Sequence, residues 1–302
     1  MSEGYEALRH GVARVDLSTR GRLRVTGRDR VRLLHNVTSN DVKKLTPGSG
    51  CYAFLLTPQG RIQADLNLFC FPDYFLVDTD PELRERVPQL ILKYKVADQV
   101  EVEEITAAMW AIGIEGPESA AFLAGKQVPT PETPYAHVEW GELTVANVSL
   151  TGQPGFRIFG PTVLPQPFKD LAFATEADAR LVRIENGRPR IGEDIRETTL
   201  PQETEQMHAV SFQKGCYIGQ EIVERIRAQG HVNKKLVRLA IAANSVPAPG
   251  TKLTADGKEA GEITSSASLP EFAGVAALAY VRVPYAEPGT VLDAGGLGAR
   301  VV

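Results

Sequence analysis

Lys214-Gly215-Cys216-Tyr217-Ile218-Gly219-Gln220-Glu221 is the most distinctive stretch of this 302-residue chain. It reads as a glycine-hinged loop entering a helix at 219–229. Ile222, Val223 and Ile226 would form the buried stripe of that helix, Glu221 and Arg225 an i,i+4 pair, and Gly230 its stop. Cys216 would then stand just before a helix N-terminus with Lys214 close by. Both influences favour thiolate and would lower its pKa below the free value of about 8.5. The residues alone leave a second reading equally open, in which Cys216 is a buried plug in a tight turn.

Downstream of residue 231 the pattern is all-β. Short apolar runs at 235–242, 251–255, 259–266, 275–283 and 290–293 are separated by Gly and Pro, and Asp256-Gly257 is a type I′ hairpin signal. These residues read as a small barrel or sandwich. Upstream, strands and helices mix, giving an α+β chain overall. The run 22–26 alternates as a strand, and Asp29 is placed to cap a short helix burying Val31, Leu33 and Leu34. The runs 51–56 and 61–71 form a hairpin about Pro58-Gln59-Gly60. In its second strand Leu66, Leu68 and Cys70 share one face, and Asp65, Asn67 and Phe69 the other. Cys70, and by default Cys51, read as small core hydrophobes. A helical pattern covers 81–95, where Pro88 should kink or split it. Strands follow at 99–105 and 109–115, a helix near 117–125, a Gly/Pro-rich strand with loops at 151–167, and a helix at 176–186 ending at Gly187.

The chain carries 33 Lys and Arg against 37 Asp and Glu, a net charge of −4 that argues against a surface coating nucleic acid. That total hides two basic stretches, a net +6 over 9–32 and a net +4 over 214–238. They suit an anionic ligand or partner, or simply solvated faces. Three separated cysteines exclude a disulfide framework, a Cys-x-x-Cys redox pair and a zinc ribbon, and fit a reducing, cytoplasmic setting. No apolar run reaches membrane-spanning length, and the polar start MSEGYEALRH lacks a signal-peptide core. Dinucleotide, P-loop, zincin and nucleophile-elbow motifs are absent, and the five histidines have no metal-ligand spacing.

The 214–221 segment resembles the K-G-C-[FY]-x-G-Q-E signature of the YgfZ family, folate-binding proteins linked to tRNA modification and related to the glycine cleavage T-protein, an aminomethyltransferase. Three further segments agree in order. Leu33 to Asp41 is similar to F-L-x-x-x-x-T-N-D, Leu56 to Leu66 to the family's L-x-P-x-G hairpin, and Arg183-Ile184-Glu185-Asn186-Gly187 to its R-[IL]-E-x-G helix end. The resemblance covers about residues 10–290. It implies a folate-binding aminomethyltransferase-like module at 1–230, its subdomains closing as a ring around a folate pocket, and a small β-barrel at 231–302.

The resemblance also implies roles. In the aminomethyltransferases the hairpin aspartate sits beside folate N5 and the glutamate of R-x-E-x-G bonds the pterin; Asp65 and Glu185 match these positions. A carboxylate suits the adjacent N–H donors of a pterin edge. The plainer readings are a solvated Asp65 on a half-buried strand and a Glu185 paired with Arg183 or Arg188. Cys216 would be the functional thiol with Lys214 as electrostatic neighbour, and Arg225 a further cofactor-binding candidate facing the thiol or supporting Glu221.

Aminomethyltransferases usually lack the cysteine and are longer, so the implied function is a tetrahydrofolate-binding accessory factor for iron–sulfur proteins, monomeric and not a turnover enzyme. Three isolated cysteines cannot supply a four-thiolate cluster site, so no metal is expected in the monomer. Some YgfZ-like members lack the hairpin aspartate. Its retention as Asp65 keeps open a second function, folate-dependent aminomethyl transfer. A third is an RNA- or partner-binding module using the basic 214–238 face, with folate regulatory; Tyr217 alone does not make the base-stacking platform that would need.

Overall fold

The computed structural model describes residues 2–161, 165–230, 232–243, 245–269 and 274–302. Gly50–Leu56 pairs antiparallel with Ile62–Cys70. Period-two alternation gives this hairpin two buried faces. Ala53, Leu55, Leu66, Leu68 and Cys70 pack on Leu33, Leu34 and Val37 of the helix Arg30–Val37. On the other face Tyr52 and Phe54 pack on Val210, Tyr217 and Val223. The hairpin belongs to a five-stranded sheet continued by Phe75–Thr79, Gly21–Thr26 and Glu101–Glu104.

A second sheet has six strands in the order Ala172–Ala174, Ala13–Asp16, Trp110–Glu115, Gly155–Gly160, Leu143–Ala146, His137–Trp140. Only its first pair is parallel. Phe69, Phe71 and Leu76 of the first sheet pack against Val15, Leu17 and Phe159 of the second in one shared core. From Lys234 to Val301 six strands close into a barrel, sealed by antiparallel pairing of Lys234–Ile241 with Gly298–Val301. Val237, Leu239, Ile263, Ala277 and Val281 fill its interior. Its outer face, with Leu236, Ala276, Leu278 and Tyr280, packs on Ile184 of the helix Glu176–Glu185. The segment 195–210 connects barrel and first sheet, with Ile62 N–H donating to the Thr199 carbonyl. The two sheets and the segment 183–190 that ends and follows the helix Glu176–Glu185 meet around a central cavity. No helix among the described residues is long and apolar enough to cross a membrane.

Local expectations are met at some places and modified at others. The 81–95 helix is split, into a 3-10 turn Pro81–Leu83 and a helix Arg86–Leu92. Pro88 lies in the first turn of the second piece, where its missing N–H costs nothing. Asp29 precedes its helix without a side-chain cap; its carboxylate instead accepts from Gln99 N–H at 2.8 Å. In the helix Gln220–Gln229 only Val223 is fully buried, while Ile222 and Ile226 are half-buried. The Asp256-Gly257 turn has φ of 50° and 74°, as a type I′ turn requires. Of the 151–167 stretch, residues 162–164 lie outside the described residues, as does residue 231 at the expected domain boundary.

Candidate functional site

The central cavity is walled by five arginines, Arg20, Arg157, Arg183, Arg188 and Arg190, with Asp65 and Asp80 as its carboxylates. These side chains arrive from several separate elements. Asp65 comes from the hairpin, and Asp80 from the turn after Phe75–Thr79. Arg157 comes from the second sheet and Arg183 from the last turn of Glu176–Glu185. Arg188 and Arg190 follow that helix where Gly187 turns the chain at φ 73°.

Beneath the cavity lies a buried ionic cluster. Asp78 accepts from Arg20 Nε at 2.9 Å, from Asn67 Nδ2 at 3.3 Å and from Arg157. Burial alone would raise its pKa, but Arg157 and Arg20 outweigh that and hold it below the usual carboxylate range. Arg20 also binds Asp80, which pairs with Arg190 at 3.4 Å.

Asp65 is not part of that cluster. Its one described side-chain donor is the Tyr52 hydroxyl, 2.7 Å from Oδ2. Burial, and then the negative charge of Asp80, push the Asp65 carboxyl up to about 6 against the opposing Tyr52 hydrogen bond. It is therefore a carboxyl able to give or take a proton near neutral pH. Beside it the Tyr52 ring stacks with His208 at 5.3 Å and Tyr135 at 6.3 Å. An adjoining chamber of about 390 Å³ shares Arg20, Asp80, Leu150, Arg183 and Arg190, and adds the apolar Val15, Leu17 and Ala179. The site joins a charged end to an apolar one, suited to a ligand with both.

The other expected residues lie elsewhere. Glu185 does not line the cavity. Its carboxylate accepts from the Tyr5 hydroxyl at 2.7 Å and pairs with Arg9 at 3.2 Å, both on the helix Glu3–His10. Arg225 is exposed and pairs with Glu221 at 2.7 Å. Lys214 is buried. Its ammonium donates to the carbonyls of His35, Thr38 and Asn40 at 2.5, 2.6 and 2.8 Å, closing the C-terminal end of Arg30–Val37. Burial lowers its pKa to about 8, and the thiol that feels its charge is Cys51.

Cys216 is exposed, which removes the buried-plug reading. Its loop is nonetheless held firmly. Gly219, at φ 83°, lies so close to the Thr57 carbonyl that an added Cβ would stand 2.5 Å from it. Sequence reasoning missed Tyr52, Tyr135, His208 and the 157–190 arginines. For Arg20 the signal existed in the basic 9–32 stretch, and for Tyr52 in its place on the same hairpin face as Asp65.

Two sheets around a charged cavity, a hairpin carboxylate facing it and a closed C-terminal barrel define a protein of the glycine cleavage T-protein class. The model of the GCVT N-terminal domain matches residues 1–214, and that of the glycine cleavage T-protein C-terminal barrel domain matches 234–302. The chain belongs to this family. It is 28% identical over 307 residues to a putative chloroplastic transferase, At1g60990, of Arabidopsis thaliana, covering 97% of this chain and 70% of that one. It is 27% identical over 310 residues to an aminomethyltransferase of Nostoc sp., covering 96% and 82%. The crystal structure of glycine cleavage system aminomethyltransferase T from Bartonella henselae superposes with a TM-score of 0.88 at 22% identity, over 99% of this chain and 87% of that one.

Proposed function

We propose that this chain binds tetrahydrofolate or a derivative in the central cavity and acts as an accessory factor for iron–sulfur proteins through the Cys216 thiol. The residues fit the ligand. Asp65 offers a carboxylate to the N–H edge of a pterin, the apolar wall suits flat rings, and the arginines suit the terminal carboxylates. Tetrahydrofolate would supply a carrier for a one-carbon unit. The chain's own part is to orient it and to hold a proton at Asp65. The accessory role rests on one observation: the thiol in the chain's most distinctive segment is solvent-exposed on a loop fastened by Lys214 and Gly219, positioned to meet a partner. In this reading the 1–230 module holds folate, the 231–302 barrel packs beside it on Ile184, and the monomer in the cytoplasm holds no cluster of its own. The link to tRNA modification runs through the client proteins.

A second reading, aminomethyl transfer to folate, is favoured by the Asp65 carboxyl at about 6 and by the names of the relatives. Complementation of a strain lacking such a factor separates the two. Loss of function with Cys216→Ala alone supports the accessory role. Loss with Asp65→Ala alone supports transfer. Calorimetry with tetrahydrofolate tests the shared premise, with binding expected in the wild type and weakened in Arg190→Gln.

A further inference from the structure

Lys234 and Arg282 are directly paired residues on neighbouring barrel strands. Like charges so placed repel each other. Among the described residues no carboxylate forms an ion pair with either; Lys234 instead lies over the Tyr280 ring at 4.8 Å. Both line a cavity of about 290 Å³ between the outer face of the barrel and the 196–199 segment. Two further cations there, Arg196 and Lys252, are balanced by Glu262 and Glu259. The surplus positive charge therefore falls on Lys234 and Arg282.

A second observation is independent of that charge. Tyr280 lines the same cavity and is 7% exposed, and its hydroxyl is buried without a hydrogen bond of normal geometry. Thr199 is a side-chain hydrogen-bonding neighbour of that hydroxyl, at a geometry short of a normal bond. An anion seated closer than Thr199 would give that hydroxyl the acceptor its present geometry does not.

We propose that this seam is a binding site for a small oxyanion, a phosphate or carboxylate group, received by Lys234, Arg282 and the Tyr280 hydroxyl. It shares no lining residue with the central cavity, so it stands whether or not that cavity takes folate.

Titration of the full chain with inorganic phosphate and, separately, with glutarate at low ionic strength tests it by calorimetry and thermal midpoint. One of the two is expected to bind in a 1:1 ratio and raise the midpoint, and which one does so identifies the group. The double variant Lys234→Gln/Arg282→Gln is expected to bind about tenfold or more weakly while remaining folded by circular dichroism. Tyr280→Phe is expected to weaken binding several-fold. Absence of binding by both anions, or wild-type affinity in the double variant, overturns the proposal.

Discussion

The Tyr52 hydroxyl donates to Asp65 Oδ2 across 2.7 Å, from the neighbouring strand of the same hairpin. A hydrogen bond to a carboxylate favours its charged form, so this contact restrains a carboxyl that burial would lift further. Tyr52→Phe is therefore expected to move the Asp65 titration above pH 6. Carboxyl-carbon NMR across pH 4–9 measures it, and a midpoint that stays or falls contradicts this assignment.

The same carboxyl makes stability depend on pH. Asp65 titrates near about 6 in the folded chain and near about 3.9 when unfolded. Between these values the folded state binds the extra proton, so the contribution of Asp65 to stability falls as pH rises through that window and is level above it. Asp65→Asn does not titrate. It should gain on the wild type across pH 4–6, by an amount on the order of 3 kcal/mol at neutrality. Chemical denaturation at pH 4 and pH 7 checks the sign.

Lys214 and Cys216 are two residues apart and should behave as opposites in stability. Lys214→Met deletes three hydrogen bonds from a charged donor and leaves the carbonyls of His35, Thr38 and Asn40 to find new partners. A loss of about 2–4 kcal/mol is expected. Cys216→Ala, at an exposed position, should change stability by less than about 0.5 kcal/mol. Denaturant midpoints for the pair decide the matter, and equal losses would contradict the division of roles.

Gly219 and Gly230 bracket the helix Gln220–Gln229 with φ of 83° and 78°. Alanine at either pays the left-handed penalty of about 1–2 kcal/mol. At Gly230 an added Cβ meets nothing within 4 Å, whereas at Gly219 it would stand 2.5 Å from the Thr57 carbonyl. Gly219→Ala is thus expected to cost clearly more than Gly230→Ala in thermal or denaturant unfolding.

The hairpin was readable because alternation at period two sends Leu66 and Leu68 one way and Asp65 and Asn67 the other, and local pattern alone determines that. The barrel was readable for the same reason, although its last strand, Gly298–Val301, is too short and glycine-rich to announce itself. The arginine cavity was not. Its members come from distant elements, and nothing local marks Arg157 as the partner of Asp78. Arg183 and Glu185 show the limit sharply. Two positions along a helix is a rotation of about 200°, so the two point to nearly opposite sides. The motif that contains both puts Arg183 into the cavity and turns Glu185 toward Tyr5, on a helix the polar N-terminal sequence did not suggest. The basic 9–32 stretch likewise dissolves into separate tasks: Arg22 is buried, donating to the carbonyls of Leu17, Ser18 and Met109, while Arg20 faces the cavity.

Fully buried Asp194 accepts from Arg183 at 2.7 Å and from the barrel hydroxyls of Thr264 and Ser265 at 2.6 Å each. One carboxylate is therefore shared between the wall of the cavity and the seat of the barrel. Lifting the barrel would strip Asp194 of two donors and loosen its hold on Arg183, while a guest bound to Arg183 would draw on the same carboxylate. The wall of the cavity and the seat of the barrel thus lean on one and the same buried carboxylate.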